Sequence, residues 1–176
     1  MSPVRTPTVE AVWEALAEVP DPEIPLVSVV DLGLVHRIDL DLEAAGGGRL
    51  RVELLPTFVG CPALELIRAA VAERLAGMAA NVEVAMTFAE PWTSDRITPE
   101  GRRKLRESGF APPAPAGAAE QPGKPLFATI AVRPTASCPY CGSQDTELEN
   151  PFGPTLCRAI FWCNRCRQPF EQFKRV

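Results

Sequence analysis

Four cysteines towards the end of the chain are spaced for metal chemistry. Cys138 and Cys141 stand in CPYC, Cys163 and Cys166 in CNRC, and twenty-one residues lie between the pairs. A CxxC knuckle can aim two sulfurs at one ion. Two such knuckles complete a tetrahedral thiolate site, and the spacing is close to that of a four-cysteine structural zinc centre. Iron–sulfur ligation and a redox role are the alternatives. A thioredoxin-like pair would sit in a βαβ pattern, which surrounds neither CxxC. Cys157 reads either as an exchangeable fifth ligand or as a small buried apolar residue on a strand. The run NPFGPTLC before it reads as a shaped loop.

The sixth cysteine poses a separate question. In TFVGCPALELI, Cys61 lies between Gly60 and Pro62, where a strand seeds a helix. Free N–H groups at a helix start favour negative charge, so a thiol there can serve as a nucleophile or a metal ligand. Thr57 can reach the same rim, and so can Asp21 and Glu23 if the early loop folds over the carboxyl end of the sheet. The plainer reading has Cys61 packing and Asp21 capping a turn, and spacing alone leaves both open. His36, the only histidine, is expected to be exposed at the start of a strand. Without a thiolate–imidazole pair, a cysteine hydrolase is disfavoured, and the residues offer no independent catalytic site.

The elements that must position these residues are legible from periodicity. Thr6 can cap a first helix that begins at Pro7 and is stopped by Pro20, with Val9, Val12, Trp13, Leu16 and Val19 on one inward face. The segment DPEIPLVSVVDLGLV, 21–35, carries two prolines and a glycine and reads as a structured loop. RIDLDL and RLRVEL alternate apolar with polar residues around a glycine-rich turn, which predicts a hairpin with one polar face. Pro62 suits the first position of a second helix, with a stripe of Leu64, Ile67, Val71 and Leu75 and a stop at Gly77. NVEVAMTF then predicts a strand with Val82, Val84, Met86 and Phe88 inward. Strand, helix, strand implies parallel pairing. TPEGRRKLRESG predicts a short basic helix. Trp92 and Trp162 read as packing or partner-contact residues.

The fold expected is α+β: an α-β-β-α-β domain with a mixed sheet over 1–110, a Pro/Ala/Gly-rich linker over 111–125, and a small four-cysteine ribbon over 126–176, with LFATIAV, CRAIFW and QPFEQF as strands. A second domain of this size needs a staple such as metal. The chain has 176 residues, is 46% apolar and carries a net charge of −4, which argues against nucleic acid as a partner despite short basic runs at Arg102, Arg103, Lys104 and Arg106 and at Arg158, Arg165, Arg167, Lys174 and Arg175. No apolar run approaches the ~18 residues of a membrane span, and no leader is read at the start, so the expected location is cytoplasmic.

DPEIPLVSVVDLGLV, PTFVGCPALELI and EPWTSDRITPEGRRKLRESGFAPP together resemble the small domain of metal–sulfur cluster assembly proteins. With the tail NPFGPTLCRAIFWCNRCRQPFEQFK, the chain resembles more closely the D-type subunits of the bacterial phenylacetyl-CoA epoxidase system, which act in aerobic phenylacetate breakdown. The resemblance implies an accessory factor for iron–sulfur cluster assembly or insertion, with Cys61 as the motif cysteine and Asp21 and Glu23 as the acidic loop. It implies transient iron or an iron–sulfur cluster as cargo, and the system's iron–sulfur flavin reductase or another subunit as partner. One cysteine cannot enclose a cluster, so a homodimer or a partner's ligands are expected to complete the site. The competing classes are a non-catalytic docking scaffold, a nucleic-acid-binding zinc ribbon, and a thiol redox enzyme that would need a resolving cysteine near Cys61.

Overall fold

The computed structural model describes residues 7–44, 46–58, 60–113 and 136–174. The described residues fall into two compact units. One is built from the chain up to Trp92 together with Arg96–Gly101, the other from Thr93–Asp95 together with the chain from Arg102 onward. Among the described residues the architecture is α+β, with three helices and two mixed sheets. No helix among them is long and apolar enough to cross a membrane.

In the first unit, α1 spans Val9–Ala17. Thr8 caps it, its Oγ1 accepting from the Ala11 N–H at 3.2 Å, so the helix begins after Pro7 and not at it. The expected cap, Thr6, lies outside the described residues. The helix also ends at Ala17, ahead of Pro20. Val12, Ala15, Leu16 and Val19 are buried, whereas Trp13 is 40% exposed and is not the core residue its spacing suggests. At 100° per residue the four buried positions centre on one direction, and Trp13 points about 110° away from it.

Strands β1 (Val35–Asp41) and β2 (Arg49–Leu54) form the expected antiparallel hairpin. Strand β3 (Asn81–Met86) pairs parallel to β2 after helix α2 (Leu64–Leu75), giving the order β1-β2-β3. Leu50, Val52 and Leu54 of β2 are fully buried. Between them Arg51 bonds Glu53 at 3.0 Å and Glu83 of β3 at 3.3 Å, so one face is core and the other a charged surface. Ile67, Val71 and Leu75 carry the buried stripe of α2, and Gly77 follows its end with φ 86°. Phe88, expected inward, is 64% exposed. The Thr87 N–H makes the last ladder bond to Leu54 O at 2.8 Å, and the Thr87 hydroxyl then takes the Ala89 N–H, turning the chain off the sheet.

The structured loop before β1 is held by its own backbone and by a distant segment. Asp21 N–H donates to Val27 O at 2.7 Å and Val29 N–H to Val19 O at 3.0 Å. Buried Asp31 accepts from both the N–H and the hydroxyl of Ser28, each at 2.9 Å. The segment leading into α3 (Pro99–Glu107) then clamps residues 31–35. Trp92 Nε1 donates to Leu32 O, Arg96 donates to Gly33 O and Val35 O, and the Thr98 N–H donates to Asp31 O. Trp92 is therefore a core residue, 2% exposed. His36 is half-buried, not exposed, with Nδ1 at 3.2 Å from Glu90. Glu90 in turn binds Arg96 at 2.9 Å. Replacing Asp31 by alanine leaves a buried N–H and hydroxyl without their acceptor. It is expected to cost about 1–3 kcal/mol, read as a lower denaturation midpoint.

The second unit holds a four-stranded sheet ordered β4-β7-β6-β5, from β4 (Phe110–Ala111), β5 (Thr146–Asn150), β6 (Arg158–Cys163) and β7 (Pro169–Phe173). β4 runs parallel to β7 and the other pairs are antiparallel. Two strands expected from the sequence are thus present. The third, in 126–132, and most of the expected linker lie outside the described residues. Among the described residues the core is small: Phe161 and Phe170 stack with centroids 5.7 Å apart, and alanines, cysteines and Leu148 pack around them.

Candidate functional site

The two CxxC turns are built alike. In the first, the Gly142 N–H donates to Cys138 O at 2.9 Å and the Cys138 N–H to Ser143 O at 2.9 Å. In the second, the Arg167 N–H donates to Cys163 O at 2.8 Å and the Cys163 N–H to Gln168 O at 3.0 Å. Each turn closes with a residue in the left-handed region, Gly142 at φ 72° and Arg167 at φ 58°. Arg167 is the one non-glycine residue there among the described residues. Holding it costs roughly 1–2 kcal/mol, so the second knuckle has the first one's shape without its glycine.

This repeat brings the four sulfurs together. Cys138 Sγ lies 3.7 Å from Cys166 Sγ, Cys141 Sγ lies 3.6 Å from Cys163 Sγ, and all four fall within 4.8 Å of one another. A tetrahedral zinc with arms of ~2.3 Å sets its sulfurs about 3.8 Å apart, so the donor set fits that ion. The thiols cannot ionise together unaided. Cys163 is drawn down to about 7, first by the backbone N–H of Cys166. Cys166 is pushed up to about 12 and Cys138 is raised, in both cases by burial first. A divalent cation supplies the missing charge. Cys157 is buried, bonds Thr155 at 3.1 Å, and stands outside the group.

Cys61 lies in the other unit, half-buried, between β2 and α2. Its N–H donates to Phe58 O at 3.2 Å, and its carbonyl accepts from the Leu64 N–H at 3.2 Å. The helix cap is Ala63, so Cys61 stands two residues before the cap and Pro62 precedes the helix instead of opening it. Gly60, at φ 86°, has nothing within 4 Å of where a Cβ would sit. Thr57 is half-buried at the start of the same connection. Asp21 Oδ1 accepts from the N–H groups of Glu23 and Ile24, both at 2.9 Å, and so shapes its loop. Among the described residues, the four ribbon cysteines are the only group of three or more Cys, His, Asp or Glu positioned to hold one ion. Asp21, Glu23 and Cys61 do not form a second.

The anticipated basic runs are partly engaged inside the fold. Arg102 donates to Ser94 O and Pro113 O. Buried Arg158 bonds Glu171 at 3.1 Å and lies over the Phe110 ring at 4.7 Å. Arg175 lies outside the described residues.

Comparison with known proteins matches each part separately and the chain as a whole. Residues 9–86 match the family of iron-sulfur cluster assembly proteins, and residues 122–174 match the PaaD zinc beta ribbon domain. A curated protein of Escherichia coli K12, named as the D-type subunit of 1,2-phenylacetyl-CoA epoxidase, is 35% identical over 177 residues. That alignment covers 100% of this chain and 98% of the relative. The chain belongs to the family of D-type 1,2-phenylacetyl-CoA epoxidase subunits. Solved structures resemble part of this D-type chain. A DUF59 domain of Bacillus anthracis is 25% identical, covering 55% of this chain and 89% of that one, with a TM-score of 0.49. A conserved hypothetical protein of Thermotoga maritima is 35% identical, covering 57% and 95%, with a TM-score of 0.48. A Mycobacterium tuberculosis protein described as associated with [Fe-S] complex assembly and repair is 31% identical, covering 62% and 95%, with a TM-score of 0.36.

Sequence reasoning missed the clamp made by Asp31, Trp92 and Arg96. Its members lie some sixty residues apart: Trp92 and Arg96 donate to the carbonyls of Leu32, Gly33 and Val35, and the Asp31 carbonyl accepts from the Thr98 N–H, so no local spacing announces it. The glycines were its available signal: a Cβ on Gly33 would lie 2.3 Å from Arg96 O, and one on Gly101 would lie 2.4 Å from Asp31 O.

Proposed function

We propose that this chain is a cytoplasmic accessory factor of the phenylacetyl-CoA epoxidase system of aerobic phenylacetate breakdown, assisting iron–sulfur cluster assembly or insertion in one of its subunits. The full-length relationship carries the reading, since the assembly-type domain and the zinc ribbon of this chain both lie within the stretch aligned to one D-type relative. Cys61 receives iron or a nascent cluster as cargo, and its half-exposed place beside Gly60 supports that role. Thr57, Asp21 and Glu23 border the approach. Cys138, Cys141, Cys163 and Cys166 hold one structural zinc. A single thiol leaves a cluster short of ligands, so a second copy or the client supplies the rest. The iron–sulfur reductase of the system is the client expected.

A docking scaffold is the second reading. It is favoured by Asp21 being committed to its own turn and by the lack of a ligand group around Cys61 among the described residues. Reconstituted loading of the apo-reductase separates the two. Cys61→Ala is expected to slow cluster transfer at least tenfold while leaving the fold intact. Full loading by that variant leaves only the scaffold.

A further inference from the structure

The connection between β5 and β6, residues 151–157, is a long one for a hairpin, and it is not loosely solvated. Asn150 Oδ1 accepts from the Phe152 N–H at 2.9 Å. The Gly153 N–H donates to Arg158 O at 2.9 Å, and the Arg158 N–H donates to Thr155 O at 3.1 Å. At its far end, the Lys174 N–H donates to Cys157 O at 2.8 Å and Lys174 Nζ to Leu156 O at 2.9 Å. Gly153 is required by the packing, since a Cβ there would come within 2.9 Å of Arg158 Cβ.

This much anchoring displays apolar side chains and does not hide them. Phe152 is 69% exposed and Leu156 is 56% exposed, with Pro151 and Pro154 also at the surface. Lys174 Nζ stands 5.2 Å from the centroid of the Phe152 ring, which steadies the ring without covering it. Exposed large apolar residues on a fixed backbone mark a surface made for a partner, because little ordering cost remains on binding. The strand leading into the loop carries two exposed carboxylates, Glu149 and Glu147, the latter accepting from Asn164 Nδ2 at 3.2 Å, against the ammonium of Lys174 at the tip.

We propose that the loop 151–157 is the docking tip of this chain, and that its partner is a protein offering an apolar cleft rimmed by basic side chains. Phe152 and Leu156 enter the cleft, and Glu147 and Glu149 face the rim. The acidic strand sets the tip against anionic membranes and nucleic acid alike. The inference rests on the function proposed above for one point: the partner is a subunit of the epoxidase system.

The test titrates each purified subunit of 1,2-phenylacetyl-CoA epoxidase against the full chain. One subunit is expected to bind, more weakly as ionic strength rises. The double variant Phe152→Ser with Leu156→Ser is expected to bind it at least tenfold more weakly, and Glu149→Lys several-fold, with zinc content and thermal midpoint unchanged. Phe152→Trp is expected to retain binding and to blue-shift its emission when the subunit is added, a readout that needs no destabilised variant. Undiminished binding by the double variant, or no emission shift, overturns the proposal. So does the absence of any binding subunit, or tip-dependent self-association or vesicle binding in its place. Cys61→Ala is expected to bind normally. Tip-dependent binding combined with full cluster loading by Cys61→Ala would sink the assembly reading alone, and the converse pattern would sink this inference alone.

Discussion

Exchanging Cys163 for serine is expected to unfold the ribbon unit, with zinc lost from the purified protein. Among the described residues the cluster around this residue has two large side chains, Phe161 and Phe170. Among the described residues the rest of that buried cluster is three alanines and the two proposed zinc ligands Cys138 and Cys163. So small a core supplies only a few kcal/mol. Structural zinc in peptides of this class contributes roughly 10–16 kcal/mol of apparent binding free energy, comparable with or larger than the ~5–15 kcal/mol that stabilises a whole domain. The metal term therefore decides whether the unit folds. Cys163 also sits in β6 opposite Thr146, so the strand pairing and the knuckle fail together. A chelator added to the unaltered chain should produce the same state. Near-ultraviolet circular dichroism and limited proteolysis would read it. An unchanged melting profile in the variant or under chelation would show that the sheet holds without metal.

Gly33→Ala is expected to be the costliest small substitution in the first unit, at about 3 kcal/mol or more. The residue has φ 64°, which alone costs an alanine roughly 1–2 kcal/mol. Its Cβ would also lie 2.3 Å from the carbonyl oxygen of Arg96 and 2.7 Å from the carbonyl carbon. Those are backbone atoms of the segment whose side chain donates to Gly33 O, so relieving the clash pulls the Arg96 clamp off the loop. Gly77→Ala is the matched control: φ is 86° there, but nothing lies within 4 Å of the added methyl, so only the backbone strain applies. Denaturant melts followed by tryptophan fluorescence compare the two. Equal costs at both positions would mean that the clamp contributes nothing beyond conformational preference.

How much of the fold is readable from the chain follows the range of the interactions. β2 can be bounded residue by residue because strict alternation over Arg49–Leu54 reports a one-sided sheet. The ribbon sulfurs are readable because a CxxC turn fixes two ligands locally, and two such turns need only meet. Errors gather where a neighbour decides the outcome. Trp13 continues an apolar stripe, yet the buried arc of α1 is narrower than the stripe. Phe88 continues an alternation that the Thr87 turn ends. Pro62 suits a first helical turn, which would put Cys61 at the helix start, but an extra turn comes first, with Cys61 N–H donating to Phe58 O and Cys61 O accepting from Leu64 N–H. The partnership of Asp31, Trp92 and Arg96 is out of reach of any local pattern, since it is written in carbonyls distant along the chain.

The central claim separates one sulfur that handles iron from four that keep zinc. Metal and acid-labile sulfide content of anaerobically purified chain, with Cys61→Ala and Cys138→Ala measured beside it, tests that division most directly. The account predicts about one zinc per chain that only Cys138→Ala removes, and iron that only Cys61→Ala removes. Iron unaffected by Cys61→Ala, or iron in place of zinc at the four cysteines, would contradict it.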